Sequence, residues 1–136
     1  MSDGQIRQSE RRQEILPALR LVQDLDSAAP GLTLEGELDL IASDVIQQRL
    51  RELGNANARV VVDLSGITFI DCSGLRALVQ ALQTIEAGNS RLQLNPECSA
   101  PLRRLVELIH SAGLADRLPG LDRFFPLNRM TNRTTP

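Results

Sequence analysis

The side chains with chemistry to offer gather in one short stretch, Asp71-Cys72-Ser73-Gly74-Leu75. A carboxylate, a thiol and a hydroxyl occupy consecutive positions, and a glycine follows them. Helical periodicity begins just beyond: Leu75, Leu78, Val79 and Leu82 fall at i, i+3, i+4 and i+7, one stripe of a helix. This spacing predicts Ser73 at the helix N-cap or one residue from it, with its hydroxyl at the mouth of the helix. Backbone N–H groups and the positive end of the helix dipole meet there, so an anion on that oxygen would be tolerated. A serine at a helix start usually does no more than cap it, so modification has to be argued from its neighbours. Cys72 is the competing candidate, as a nucleophile with a thiolate favoured by the helix start. Asp71 opposes that ionisation and no general base is in view, which makes an enzyme the weaker reading.

The other reactive residues are scattered. His110 falls late in a predicted helix, where a surface or C-cap role is expected, and one histidine completes no triad or zinc site. Cys72 and Cys98 have neither disulfide-framework nor metal-ligand spacing. Each does follow a predicted strand, and neighbouring parallel strands run about 4.8 Å apart. A regulatory redox pair is therefore conceivable if the turn before Cys98 brings the Cα atoms within about 7 Å.

The elements around the stretch read in order. Met1 to Leu16 is polar and Arg/Glu-rich and is expected to be a flexible tail, with Pro17 opening a domain that spans 17–126. Leu19–Gln23 and Leu32–Glu35 read as two strands of a hairpin around a turn at Asp26–Gly31. Ser43 and Asp44 open a helix with stripe Val45, Ile46, Leu50 and Leu53, ended by Gly54, and Ser43 is the expected cap. Val60-Val61-Val62 is a β-branched run suited to a strand buried on both faces. Turn formers at Asp63–Gly66 separate it from Ile67–Ile70, and Gly88-Asn89 closes the helix after Ser73. Arg91–Leu94 is the next strand. Ser99 and Pro101 open a helix with stripe Leu102, Leu105, Val106 and Ile109, stopped at Gly113. Leu114–Phe125 is apolar but broken by Pro119 and Gly120, with room for a short final strand, and 127–136 reads as a disordered tail. The alternation predicts a single α/β domain, a mixed sheet of about four to five strands packed with three to four helices. In such sheets, sites form beyond the carboxyl ends of parallel strands, where the Asp71–Leu75 loop falls.

A second motif strengthens the first. Leu34-Glu35-Gly36-Glu37-Leu38-Asp39 ends an early strand. It resembles the "GELD" turn of the STAS domain family (sulphate transporter and anti-sigma factor antagonist). Asp71-Cys72-Ser73-Gly74-Leu75 resembles that family's phosphorylation-site loop, and the order of elements fits from about Leu19 to about Phe125. The resemblance implies an anti-sigma factor antagonist that binds a serine-kinase anti-sigma factor and so releases a sigma factor. Ser73 matches the phosphorylated position that switches the contact off, and a phosphatase would reverse it. The partner supplies the ATP, so this chain needs no cofactor. The partner-binding residues implied are Asp39, Asp71, Cys72, Ser73, Gly74 and Leu75. The family generally ends in another amphipathic helix, and nothing after Phe125 has that pattern. The alternatives within the family are a scaffold subunit or a nucleotide- or lipid-linked binding module in a larger signalling or transport assembly. No G-x-x-x-x-G-K-[ST] cradle is present to favour a nucleotide site.

Composition limits the partners. A net charge of −2, a pI near 5.4 and only three phenylalanines as aromatics argue against nucleic acid. All fifteen basic residues are arginine. No apolar run approaches the ~20 residues that span a bilayer, and the polar start is no signal peptide. The expectation is a free-standing cytoplasmic domain, monomeric or weakly dimeric, with no membrane contact.

Overall fold

The computed structural model describes residues 11–24, 31–56, 59–88 and 90–126. Five strands form one mixed sheet in chain order: β1 Arg11–Ile15, β2 Leu19–Asp24, β3 Gly31–Leu38, β4 Arg59–Ile70 and β5 Arg91–Cys98. β1–β2 and β2–β3 are antiparallel, whereas β3–β4 and β4–β5 are parallel. Helices α1 (Leu40–Ala56) and α2 (Cys72–Ala87) make the two parallel crossovers. α3 (Ala100–Ser111), a 3₁₀ turn at Ala115–Arg117 and the single-turn α4 (Leu121–Phe124) follow.

Alternation along the strands sorts the residues by face. Leu21 lies opposite Leu34 and Leu32 beside Val62, and these side chains are buried with Leu19, Val60 and Leu64 in the core. Thr33 beside Asp63, and Arg20 opposite Glu35, carry the polar character of the other face. The helices add Ile46, Leu50 and Leu53 from α1, Leu75, Leu78, Leu82 and Ile85 from α2, and Leu102, Val106 and Ile109 from α3 to the same core. α1 and α2 pack along each other. A Cβ on Gly54 would sit 3.2 Å from Ile85 Cγ1, so this glycine lies inside α1 at a close helix–helix approach and does not end the helix.

Several expectations are corrected. The domain begins before Pro17, because Arg11–Ile15 pairs with β2 as an edge strand. Arg49 of α1 holds that edge by a two-pronged contact with Glu14, Nε–Oε1 2.7 Å and Nη2–Oε2 3.2 Å. Asp63–Gly66 is a bulge within one twelve-residue strand and not a break between two. The register passes from Thr33–Asp63 to Glu35–Gly66, so Leu64 and Ser65 together face one residue of β3. Asp63 Oδ1 accepts from the Ser65 N–H at 2.9 Å and from its hydroxyl at 2.7 Å, a local bond of the kind that makes Asp a turn former. No final strand forms from Leu114–Phe125. Instead Leu118, Leu121, Phe124 and Phe125 are buried as a short closing cap. Gln83 of α2 donates to the Pro119 carbonyl at 3.2 Å, and Arg123 pairs with Glu86, tying that cap to α2. Residues 1–10 of the tail expected over 1–16, the tail expected at 127–136, and most of the turn expected at Asp26–Gly31 lie outside the described residues.

Candidate functional site

The site is built by two strand-to-helix junctions side by side. Leu38 and Ile70, the last residues of β3 and β4, are register partners in the parallel pair, so Asp39 and Asp71 leave the sheet together. Each aspartate caps the helix it introduces. Asp39 Oδ1 accepts from the N–H groups of Ile41 at 3.1 Å and Ala42 at 3.2 Å, while the Ser43 hydroxyl donates back to the Asp39 carbonyl at 3.0 Å. Asp71, extended at φ −108° and ψ −179°, accepts the Gly74 N–H on Oδ1 at 2.8 Å. The caps expected at Ser43 and at or near Ser73 thus belong to Asp39 and Asp71. Aspartate and serine are about equally good caps, so residue type alone does not choose between them. Ser73 becomes the second residue of α2, exposed, with its hydroxyl outside the cap.

The six expected contact residues divide sharply by burial. Cys72 and Ser73 are exposed, Asp39 and Asp71 are half-buried, and Gly74 and Leu75 are buried. Leu75 has no exposed surface and is a core residue, so no partner reaches it. Gly74 is fixed from within: a Cβ there would lie 2.1 Å from the Leu38 carbonyl oxygen. Its smallness lets α2 begin hard against the end of β3, and the Asp71 N–H also reaches that oxygen at 3.4 Å.

The sequence reading missed the apolar surroundings. Leu40 is 70% exposed, Ile41 76% and Phe69 48%, all within a few residues of the two junctions. Leu40 and Ile41 occupy the same places after Asp39 that Cys72 and Ser73 occupy after Asp71. Their signal in the sequence is negative: two large apolar residues that precede the Val45–Leu53 stripe.

Cys72 and Cys98 are kept apart. Cys98 sits beside Leu64, and β4 runs six residues further to Ile70, about 20 Å at ~3.3 Å per residue. No disulfide joins them. His110 is also elsewhere and less exposed than expected, its side chain 11% accessible. Its Nε2 lies 3.3 Å from Asp122 Oδ1 without the alignment of a hydrogen bond.

Comparison with known proteins decides the family. Residues 21–120 match the family model described as "Mlab, STAS domain". The chain belongs to the STAS domain family. Comparison with curated proteins finds no match. Among solved structures, the STAS domain of an anti-sigma-factor antagonist from Rhodobacter sphaeroides is 22% identical, over 62% of this chain and 96% of that one, with a TM-score of 0.52. An anti-sigma factor antagonist from Mycobacterium paratuberculosis is 19% identical over 78% and 88%, TM-score 0.53. The anti-sigma factor antagonist SpoIIAA in its unphosphorylated form is 19% identical over 71% and 83%, TM-score 0.52. The chain also matches 18% of the length of a larger protein, Mglu. At these identities the likeness establishes the shared STAS fold, the single α/β domain with a mixed sheet expected from the sequence. Among the described residues no helix is long and apolar enough to cross a membrane.

Proposed function

We propose that this STAS domain is an anti-sigma factor antagonist that docks a serine-kinase anti-sigma factor on its Asp39–Asp71 end and is switched off by phosphorylation of Ser73. The observation that carries the reading is an exposed serine hydroxyl, free of the helix cap, with exposed Phe69 at the end of its own strand and exposed Leu40 and Ile41 at the adjoining junction. Apolar side chains in water favour a protein partner that covers them. A phosphate set among them places about −1.5 to −2 charges in the same contact. The interface then has to desolvate that charge next to Asp71, and a penalty of only ~3 kcal/mol lowers affinity more than a hundredfold. In the transfer, Ser73 Oγ forms a bond to the γ-phosphorus of the partner's ATP, the bond to ADP breaks, and the hydroxyl proton leaves to a base on the partner. This chain contributes the acceptor and binds no cofactor. A phosphatase resets the serine, and the cycle runs in the cytoplasm with the antagonist as a monomer or weak dimer. The description of SpoIIAA as having an unphosphorylated form supports a switch of this kind.

The test is phosphotransfer from ATP by the purified cognate kinase, followed by mapping of the phosphate. Transfer to Ser73, abolished in Ser73→Ala, with weak partner binding by Ser73→Asp, is the expected outcome. Phosphate on Ser65 or Ser99, or none at all, overturns it. The alternative implied by the family resemblance is a scaffold subunit or binding module in a larger signalling or transport assembly. A stable complex by native mass with no phosphotransfer is the result that would select it.

A further inference from the structure

The solvent-facing stripe of α2 runs Ser73, Arg76, Gln80, Thr84 and Ala87, which with Cys72 are the exposed positions of a helix whose opposite side is core. Ser73 and Arg76 are therefore adjacent on one face, at the i, i+3 spacing that brings side chains together. Arg76 is the only arginine on α2, and among the described residues no ion pair engages it, whereas Arg20, Arg49 and Arg123 are each held by a glutamate. We infer that Arg76 is the internal counter-ion of a phosphate on Ser73, closing over it along the α2 surface. The inference rests on Ser73 as the modified residue and adds how this chain handles the charge once it is there. The Gly74 N–H is already taken by Asp71, so one of the backbone donors of the helix start is closed to the phosphate. A guanidinium one turn along supplies two parallel N–H donors and a full positive charge, the geometry that suits a phosphate. Before modification the same guanidinium is available to an acidic group on a partner. Phosphorylation thus withdraws a cation from the interface as well as adding an anion.

The test places phosphoserine at position 73 of the full chain by genetically encoded incorporation, so it needs no kinase and is independent of whether the cell modifies Ser73. ³¹P NMR titration reads the second ionisation of the phosphate directly. Pairing with Arg76 favours the dianion, so that pKa should lie about half a unit lower in the wild-type background than with Arg76→Gln. Arg76→Lys should restore part of the shift, Arg104→Gln on α3 should leave it unchanged, and molar salt should shrink it. Circular dichroism of each variant confirms that α2 is intact. Equal pKa values in the wild-type and Arg76→Gln backgrounds, or an equal shift from Arg104→Gln, overturn the assignment. A shift without any phosphotransfer in cells would uphold the pairing and discard only the switch.

Discussion

At the scale of single residues, Gly74 and Asp71 of the loop each support a prediction about stability. Gly74→Ala should lower stability by about 1–3 kcal/mol, because the added methyl meets the Leu38 carbonyl and not a flexible side chain. Helix propensity alone would predict a gain approaching 1 kcal/mol, so the sign in a urea melt decides between them. Asp71→Ala should cost about 0.5–2 kcal/mol as a lost cap, and Asp71→Asn much less. Leu40→Ser with Ile41→Ser should leave the melt within about half a kcal/mol, as exposed substitutions do. Partner affinity should fall at least tenfold in that double variant, and retained affinity would move the docking surface elsewhere. The residue types of the loop were readable from the sequence, and so was Ser73 as its exposed hydroxyl. Which side chain caps was not, since Asp71, Ser73, Asp39 and Ser43 are all competent caps and residue type does not separate them.

The elements were legible where their periodicity was unbroken. The stripe of α2, and that of α3 with its Ser99 cap, stand as read: Ser99 Oγ accepts from Leu102 N–H at 3.3 Å. Two elements hid for different reasons. β1 is a polar edge strand whose pairing supplies what its composition does not, and its Glu14 is fixed by Arg49 from a distant helix. Glu14→Gln should cost only about 0.2–1 kcal/mol, as partly exposed ion pairs do, with the loss seen as faster amide exchange in β1. The Arg49 pKa is raised by its hydrogen bond to Glu14, so the stabilisation carried by that shift is complete below the ordinary arginine pKa. It fades only as pH climbs through the raised value, far beyond neutrality. α4 hid because a single turn shows no period. Phe124→Ala should nevertheless cost about 3–5 kcal/mol in denaturant, since the ring is buried against the core.

For the whole molecule, the parallel strands were evident but their lengths were not. Turn formers at Asp63–Gly66 looked like an end and are a bulge, so β4 outruns β5 by six residues. That overhang separates the two cysteines. Mild oxidation should give no intramolecular disulfide by intact mass, while Cys72, being exposed, should be the thiol that alkylates first. A two-hydrogen mass loss in the monomer would contradict the register.

The contact between Gly74 and the Leu38 carbonyl has a further consequence for how information leaves this protein. It wedges the start of α2 against the end of β3, with no room between Gly74 and that carbonyl for the helix to advance. A phosphate on Ser73 should therefore not be relieved by sliding the helix, and the sheet and the distant helices are expected not to register it. Amide exchange of the phosphoserine form should accordingly match that of the unmodified chain everywhere except around residues 71–76. On the proposed switch, whatever reads this domain has to touch the phosphate itself. A sensor docked on the polar sheet face or beneath α3 would be blind to a phosphate on Ser73.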